Sequence, residues 1–491
     1  MVDNSMPGKL VVPETILQPL VKASNSSDLD KGLEHLIEVA KSPEGRADLA
    51  SKDLVTYVLK LCQLPDFVSS GDLLFLSLKL LRNLCAGELI NQNAFLEQNG
   101  VKVVSSVLSC VSFSSEFGYK IIRTCLQVLG NFSLAGEEHQ LAVWREFFPL
   151  SFTKIAEVQR TDTCDPLCMV TYACSGESNE LLEELCSVRG LRLVVEIVRT
   201  VSAVGFKEDW FKLILSRVCI DKSCFTSVFS QLYPISQVEE HGNITSKAVG
   251  FSAEQSFLME VLSIILNERI RDKVNSTELA LCVFEILRAS VSLLGSVPRG
   301  STGLPTGNTD IDILGYSLLI LRDVCSNDNL TSLKERGSGD VVDLLVYAGL
   351  IEFLLNLLRK LEPPSTIKKA MKVQETSNKA GSQPCPYKGF RKDIVSILAN
   401  CAYQRKSVQD EIREKNGILL LLQQCIHDDD NPFLREWGLW SLRNLLEGNL
   451  ENQQVVAGLE LQGSVDVPEI ADLGLRVELD PQTRRPKLRN V

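Results

Sequence analysis

Large apolar side chains run along two faces of one segment, NPFLREWGLWSLRNLLEGN (431–449). Trp437, Trp440 and Asn444 recur at i, i+3 and i+7, the spacing of one helical face. Leu439, Leu442 and Leu446 repeat that spacing about 200° further round. Asn431-Pro432 reads as the start of a helix and Gly448-Asn449 as its stop. The leucine face is the expected core side. The stripe Phe433, Trp437, Trp440, Asn444 either meets a neighbouring element or stays open as a docking surface.

The same pattern of apolar helix, Asn and polar turn recurs elsewhere. LRNLCAGELINQNAFLEQNGV (81–101) aligns with LANCAYQRKSVQDEIREKNGI (398–418). Asn83 and Asn400 each end an apolar run, Gln92 and Gln409 follow nine residues later, and Gly100 and Gly417 follow seventeen residues after each Asn. Asn131 with Gln140 and Asn444 with Gln453 keep the Asn-x8-Gln spacing. A weaker copy places Gly190 seventeen after Ala173, and a looser one lies near Asp323. Neighbouring copies lie 48 positions apart from Asn83 to Asn131 and 44 from Asn400 to Asn444. That period belongs to armadillo or HEAT-type units of two or three helices, in which no unit covers its own apolar face and neighbours share a core. The expected fold is all-α: an armadillo/HEAT-like helical solenoid of about seven to nine repeats with looped-out insertions.

Two stretches break the period. GSVPRGSTGLPTGNT (295–309) is rich in Gly, Pro, Ser and Thr and reads as a flexible loop. The segment 362–387 is longer, polar and locally basic, and reads as a disordered loop out of the array. The resulting order is armadillo-like repeats over 1–294, the loop 295–309, a repeat over 310–361, the loop 362–387, and repeats with a C-terminal cap and tail over 388–491. The last ten residues are expected to be mobile.

Composition narrows the function class. Aromatics make up only 6% of the 491 residues, which favours helices over β-sandwiches. A net charge of −11 repels phosphate backbones and argues against general nucleic-acid binding. One compact basic cluster, Arg484, Arg485, Lys487 and Arg489, reads as a solvated tail. The first residues lack the pattern of a signal peptide, and no apolar run reaches a membrane span of roughly 18 residues. The fifteen cysteines therefore read as reduced thiols of the cytoplasm or nucleus, mostly small core hydrophobes.

Candidate chemistry is sparse. The four histidines, His35, His139, His241 and His427, show no metal or catalytic pairing in sequence. The run Asp428-Asp429-Asp430 lacks the glycine and distal Glu of a calcium loop and reads as a polar turn. Cys164-x3-Cys168 and Cys219-x4-Cys224 loosely match zinc half-sites, but no second pair lies close by, so both read as core or turn cysteines. No phosphate loop, nucleophile elbow or kinase signature occurs. No catalytic residue, cofactor or metal is expected.

From Lys388 onward the chain resembles the ataxin-10 family. The resemblance is carried by KGFRKDIVSILANCAYQRKSVQDEIREKNGILLLLQQCIHDDDNPFLREWGLWSLRNLLEGN, above all by DDDNPFLREW followed by RNLLEGN. Over the first 360 residues it reduces to the general armadillo-like pattern. The resemblance implies a non-catalytic scaffold that binds protein partners, in cell division (cytokinesis) or signalling. The partners it implies are mitotic kinases, a glycosyltransferase and a G-protein β subunit. Trp437, shared with the family motif, is expected to be buried, and the helix pattern leaves Trp440 at least partly exposed near Asn444.

An alternative is a peptide or cargo adaptor of the importin-α kind, whose hallmark is a ladder of Trp-x-x-x-Asn rungs. Trp440 and Asn444 match one rung, but Lys79, Gln127 and Ser396 stand four before Asn83, Asn131 and Asn400. An enzyme with an unrecognised site is a third class without a supporting residue. The candidate partner-binding residues are thus Trp437, Trp440, Asn444, Asn400, Asn131 and Asn83. Either the asparagines hydrogen-bond a partner's extended backbone, or each bonds carbonyls at its own helix end and fixes the turn.

Overall fold

The structure, a computed structural model, describes residues 27–64, 71–176, 178–205, 208–233, 250–269, 277–294, 300, 302–328, 340–364, 383–459, 475–479 and 486–490. Expectations placed on His241, on 295–299, 301 and 365–382 of the two loops, on 460–474 of the cap and on Arg484 and Arg485 lie outside the described residues. Two compact units result. One comprises Met1–Leu293 with Asp312–Ile320, the other Leu294–Ile311 with Leu321–Val491.

The first unit is helical throughout its described residues. Long, short and third helices follow in order: Ser27–Val39, Pro43–Ala50 and Leu54–Cys62; Gly71–Leu84, Leu89–Glu97 and Gly100–Cys110; Glu116–Ser133, Glu137–Phe147 and Leu150–Ala156; Thr161–Ser175, Asn179–Leu185 and Val188–Val204. Each long helix packs on the next long helix, so Glu116–Ser133 lies between Gly71–Leu84 and Thr161–Ser175. Leu74, Leu78 and Leu81 recur at i, i+4 and i+7 and are buried, as are Ile121, Cys125, Val128 and Phe132. Each such large aliphatic or aromatic side chain contributes about 1.5–3 kcal/mol of transfer free energy. This is the shared core of an armadillo-like stack, in which one helix supplies apolar residues to both neighbours.

The second unit repeats the scheme with Phe390–Ala402, Lys406–Glu414 and Gly417–Leu422, followed by Leu434–Leu446 and Leu450–Ala457. It also holds a two-stranded antiparallel hairpin, β1 (Leu475–Leu479) and β2 (Pro486–Asn490), with Leu475 opposite Asn490 and Leu479 opposite Pro486. The all-α expectation holds for the helical array, and this short hairpin is added to it near the C-terminal end. LRVEL alternates apolar and polar residues with period 2, which is a strand signal.

The described ends of the two loops are tied by backbone hydrogen bonds. The Gly300 amide donates to the Cys385 carbonyl at 3.2 Å and the Lys388 amide to the Thr302 carbonyl at 2.9 Å. The base of the longer loop is clamped where the Glu362 amide meets the Gln383 carbonyl at 2.8 Å and the Gln383 amide meets the Lys360 carbonyl at 2.7 Å.

The repeat glycines Gly100 and Gly417 are not themselves the turn residues. The residue before each, Asn99 or Asn416, takes the left-handed conformation with φ 54° and ψ 35°, which Asn tolerates best among residues with a side chain. Gly100 and Gly417 instead let the third helix touch the short one. A Cβ on Gly100 would sit 2.6 Å from the Phe95 ring, and one on Gly417 2.7 Å from Ile412 Cγ2. Four residues after the repeat Asn, a second left-handed position recurs at Gly87, Gln404 and Gly448. The Gly448-Asn449 stop is one instance of it.

Helix Leu434–Leu446 buries neither of its expected stripes. Its inward face is Leu434, Gly438, Ser441 and Leu445, with Asn444 beside them. Leu439 is exposed, and Leu442 and Leu446 are half-buried. Small residues decide this. A Cβ on Gly438 would fall 2.7 Å from the Gln424 carbonyl oxygen, so the helix backbone approaches the preceding turn closely along the Gly438 and Ser441 line. The leucines are carried off that line. Trp437, expected to be buried, is only half-buried for the same reason, while Trp440 is 45% exposed.

Candidate partner-binding site

The four asparagines proposed as binding residues form hydrogen bonds between repeats. Asn131 Nδ2 donates to the Arg82 carbonyl at 2.8 Å, and Arg82 immediately precedes Asn83. Asn444 Nδ2 donates to the Ala399 carbonyl at 2.9 Å, and Ala399 immediately precedes Asn400. Asn400 Nδ2 donates to the Arg322 carbonyl at 3.1 Å, just before Asp323. Asn83 Nδ2 donates to the Ile37 carbonyl in the preceding long helix at 3.3 Å. The expectation that each Asn bonds its own helix end is therefore corrected: the acceptor is one repeat back.

The glutamines complete the motif in the other direction. Gln92 Nε2 donates to the Cys85 carbonyl at its own helix end at 3.0 Å and forward to the Asn131 carbonyl at 2.8 Å. Gln409 Nε2 donates to the Ala402 carbonyl at 3.2 Å and forward to the Asn444 carbonyl at 2.8 Å. Asn and Gln thus satisfy the last carbonyls of consecutive long helices, which the helix itself leaves without donors. Asn-x8-Gln is a clasp between neighbours. Asn400 and Asn444 are buried in it, and Asn83 and Asn131 are half-buried.

The tryptophan stripe belongs to the second unit and is open. Trp440 carries the Arg443 guanidinium over its ring at 4.9 Å from the centroid. Phe433, at the start of the same helix, is 70% exposed and held at φ 64°. A bulky side chain in the left-handed region costs about 1–3 kcal/mol and marks a backbone that its surroundings dictate. Here the cause is the preceding run. Asn431 Oδ1 accepts the Arg391 amide at 2.9 Å, its Nδ2 donates to Asp428 Oδ2 at 3.0 Å, and the Asp430 carbonyl accepts the Gly389 amide at 2.8 Å. The acidic turn is thereby used to dock the start of helix Phe390–Ala402, and Phe433 is left standing in solvent. Beside it a cavity of about 290 Å³ is lined by residues of the same turn, among them His427, Pro432 and Arg435.

Among the described residues no group of three or more His, Cys, Asp and Glu side chains could hold a metal ion. No single described helix is long and apolar enough to cross a membrane. His139 lies edge-on against Phe132 at 4.9 Å and meets Asn93 Oδ1 at 3.1 Å. Cys164 and Cys168 are buried one turn apart on a single helix.

Stacked three-helix units joined by side-chain clasps, with an open aromatic stripe on the last long helix, define an armadillo-like repeat protein of the scaffold type. Residues 390–489 match the family profile described as the spinocerebellar ataxia type 10 protein domain. The chain is 22% identical to ataxin-10 of Bos taurus over 449 residues, covering 91% of this chain and 86% of that one. It is 42% identical over 90 residues to an ataxin-10 homolog of Dictyostelium discoideum, covering 18% of this chain and 15% of that one. The similarity to ataxin-10 proteins reaches well beyond the C-terminal stretch that carried it in the sequence. A designed armadillo repeat protein solved with a (KR)4 peptide aligns over 51% of this chain and 98% of its own, with 12% identity and a TM-score of 0.33.

Proposed function

We propose that this protein is a non-catalytic scaffold that docks a protein partner on the aromatic stripe Phe433, Trp437 and Trp440. The observation that carries the reading is Phe433, a large apolar side chain both strained and exposed. Its geometry costs folding free energy and returns none by burial, which is the signature of a residue kept for contact. Trp440 with its stacked Arg443 supplies the aromatic and arginine chemistry that dominates binding hot spots. The ring of the Trp440–Asn444 rung is open, whereas its amide is buried in the clasp to Ala399. The stripe therefore suits a side-chain docking site better than the backbone-reading ladder of an importin-α-like adaptor.

The ataxin-10 resemblance favours a role in cytokinesis or signalling, in the cytoplasm and nucleus, with mitotic kinases, a glycosyltransferase or a G-protein β subunit as partners. The test pairs two variants of the full chain in affinity purification from native cells. Phe433→Gly removes strain and ring together, so it should hold or raise the melting temperature while co-purification of the partner falls at least tenfold. Trp440→Ala should do likewise with unchanged melting. Partner recovery equal to wild type in both variants would overturn the docking assignment.

A further inference from the structure

The hairpin near the end of the chain is a sheet without a third member. Among the described residues β1 (Leu475–Leu479) pairs only with β2 (Pro486–Asn490), so each strand keeps one edge unpaired. Two strands alone are marginal in water, and a third strand or a packed helix supplies the missing stability. An open edge offers its row of backbone donors and acceptors to another extended chain.

The register sorts the residues by face. Residues directly opposite one another share a face, and the faces alternate along each strand. Leu475, Val477 and Leu479 stand opposite Asn490, Leu488 and Pro486, which makes one face apolar but for Asn490. Arg476 and Glu478 stand opposite Arg489 and Lys487, which makes the other face charged, with three cations against one carboxylate. In a chain of net charge −11 this is a local reversal of sign. Lys487 and Arg489, which read in the sequence as part of a solvated tail, are placed by their strand on one face with Arg476. The Glu478–Lys487 pair is complementary. The Arg476–Arg489 pair sets like charges opposite each other, which destabilises the pairing of the two strands.

The two edges are not equivalent. β2 opens with Pro486, which has no N–H and is one of the devices that guard an edge. All five residues of β1 keep theirs.

We propose that β1 is a receptor edge for an extended acidic segment of a partner protein, which joins the hairpin as a third strand. Backbone hydrogen bonds to β1 supply the affinity, and alternate side chains supply the choice of partner. On the charged face an Asp or Glu of the incoming strand stands beside Arg476 and offsets the like-charge pair with Arg489. On the other face its apolar residues extend the row of Leu475, Val477 and Leu479. The matching segment therefore alternates apolar and acidic residues. A second copy of this hairpin fits less well, because it adds its own cations to the charged face.

The test titrates the full chain into a fluorescein-labelled peptide of alternating Val and Glu, about seven residues long, and reads anisotropy. One control peptide alternates Val and Lys, and another holds the same Val and Glu residues in two blocks. The alternating acidic peptide should bind about tenfold more tightly than either control. Arg476→Glu should reverse the preference between the acidic and the lysine peptides while the melting temperature of the helical array stays the same. Hydrogen exchange followed by mass spectrometry should show new protection across Leu475–Leu479 when the acidic peptide is added. Equal binding of the block peptide would reduce the contact to charge alone and overturn the proposal. Protection over helix Leu434–Leu446 instead would place the peptide on the tryptophan stripe and overturn it too. So would protection of β1 that rises with protein concentration in the absence of peptide, which would assign the edge to a second copy.

Discussion

A carboxamide donates and accepts at once, and the repeat asparagines use the donor half on a neighbouring helix. The acceptor half varies. Asn83 Oδ1 accepts from Arg82 Nη2 at 3.0 Å, whereas Asn444 Oδ1 is buried without a hydrogen-bond partner. The difference lies in the preceding arginine, since Arg443 turns outward over Trp440 rather than back to its Asn. Donation is therefore what the position requires. Asn444→Ala should cost about 1–3 kcal/mol, because it leaves the Ala399 carbonyl without its side-chain donor. Asn444→Asp should cost more, since it sets a buried carboxylate against that carbonyl oxygen. Urea denaturation of the full chain measures both, and an alanine variant within about 0.3 kcal/mol of wild type would refute the clasp.

At the scale of the helix, small residues set which face turns inward. Gly438 and Ser441 bring Leu434–Leu446 against the turn at Gln424, so Gly438→Val should force the backbones apart at about 1–3 kcal/mol, readable as a lower midpoint in the same denaturation. This is also where sequence reading stopped. The Asn-x8-Gln spacing, the period and the helical stops were legible, because each is a local chemical requirement repeated along the chain. The inward face of the last long helix was not. Counting apolar residues chose the leucines, while the structure chose Gly438 and Ser441 for close approach, which carries no hydrophobic signal. The target of each Asn was hidden for a related reason, since its acceptor is a backbone carbonyl 45 to 78 positions away. Gln404 at φ 53° hid the second turn position, because a glycine marks it at Gly87 and Gly448 but not there. Of the candidate site, the exposed Trp440 was foreseen. The strained Phe433 was visible only as a member of the stripe, since its backbone is set by Asp428 and Asn431 rather than by its own neighbours in the motif.

Across the molecule, the stack gives each long helix two partners of the same kind, and stability then approximates a chain of units with couplings between nearest neighbours. The couplings are unequal. Where the repeat Asn is replaced by Ala173, no amide reaches back to the Gly130 carbonyl, and Ser133 Oγ takes it instead at 2.9 Å from within its own helix. The joint between Glu116–Ser133 and Thr161–Ser175 keeps its apolar contacts but lacks the clasp. Local opening follows the weakest link, so amide hydrogen exchange in the first unit should begin at this boundary, with protection on either side lost in separate steps. Ala173→Asn should merge those steps and raise the urea midpoint. An unchanged exchange pattern would mean that apolar packing alone fixes the joint. If the steps merge, the array is a zip fastener with one tooth missing, and the place where it parts is written in a single methyl group.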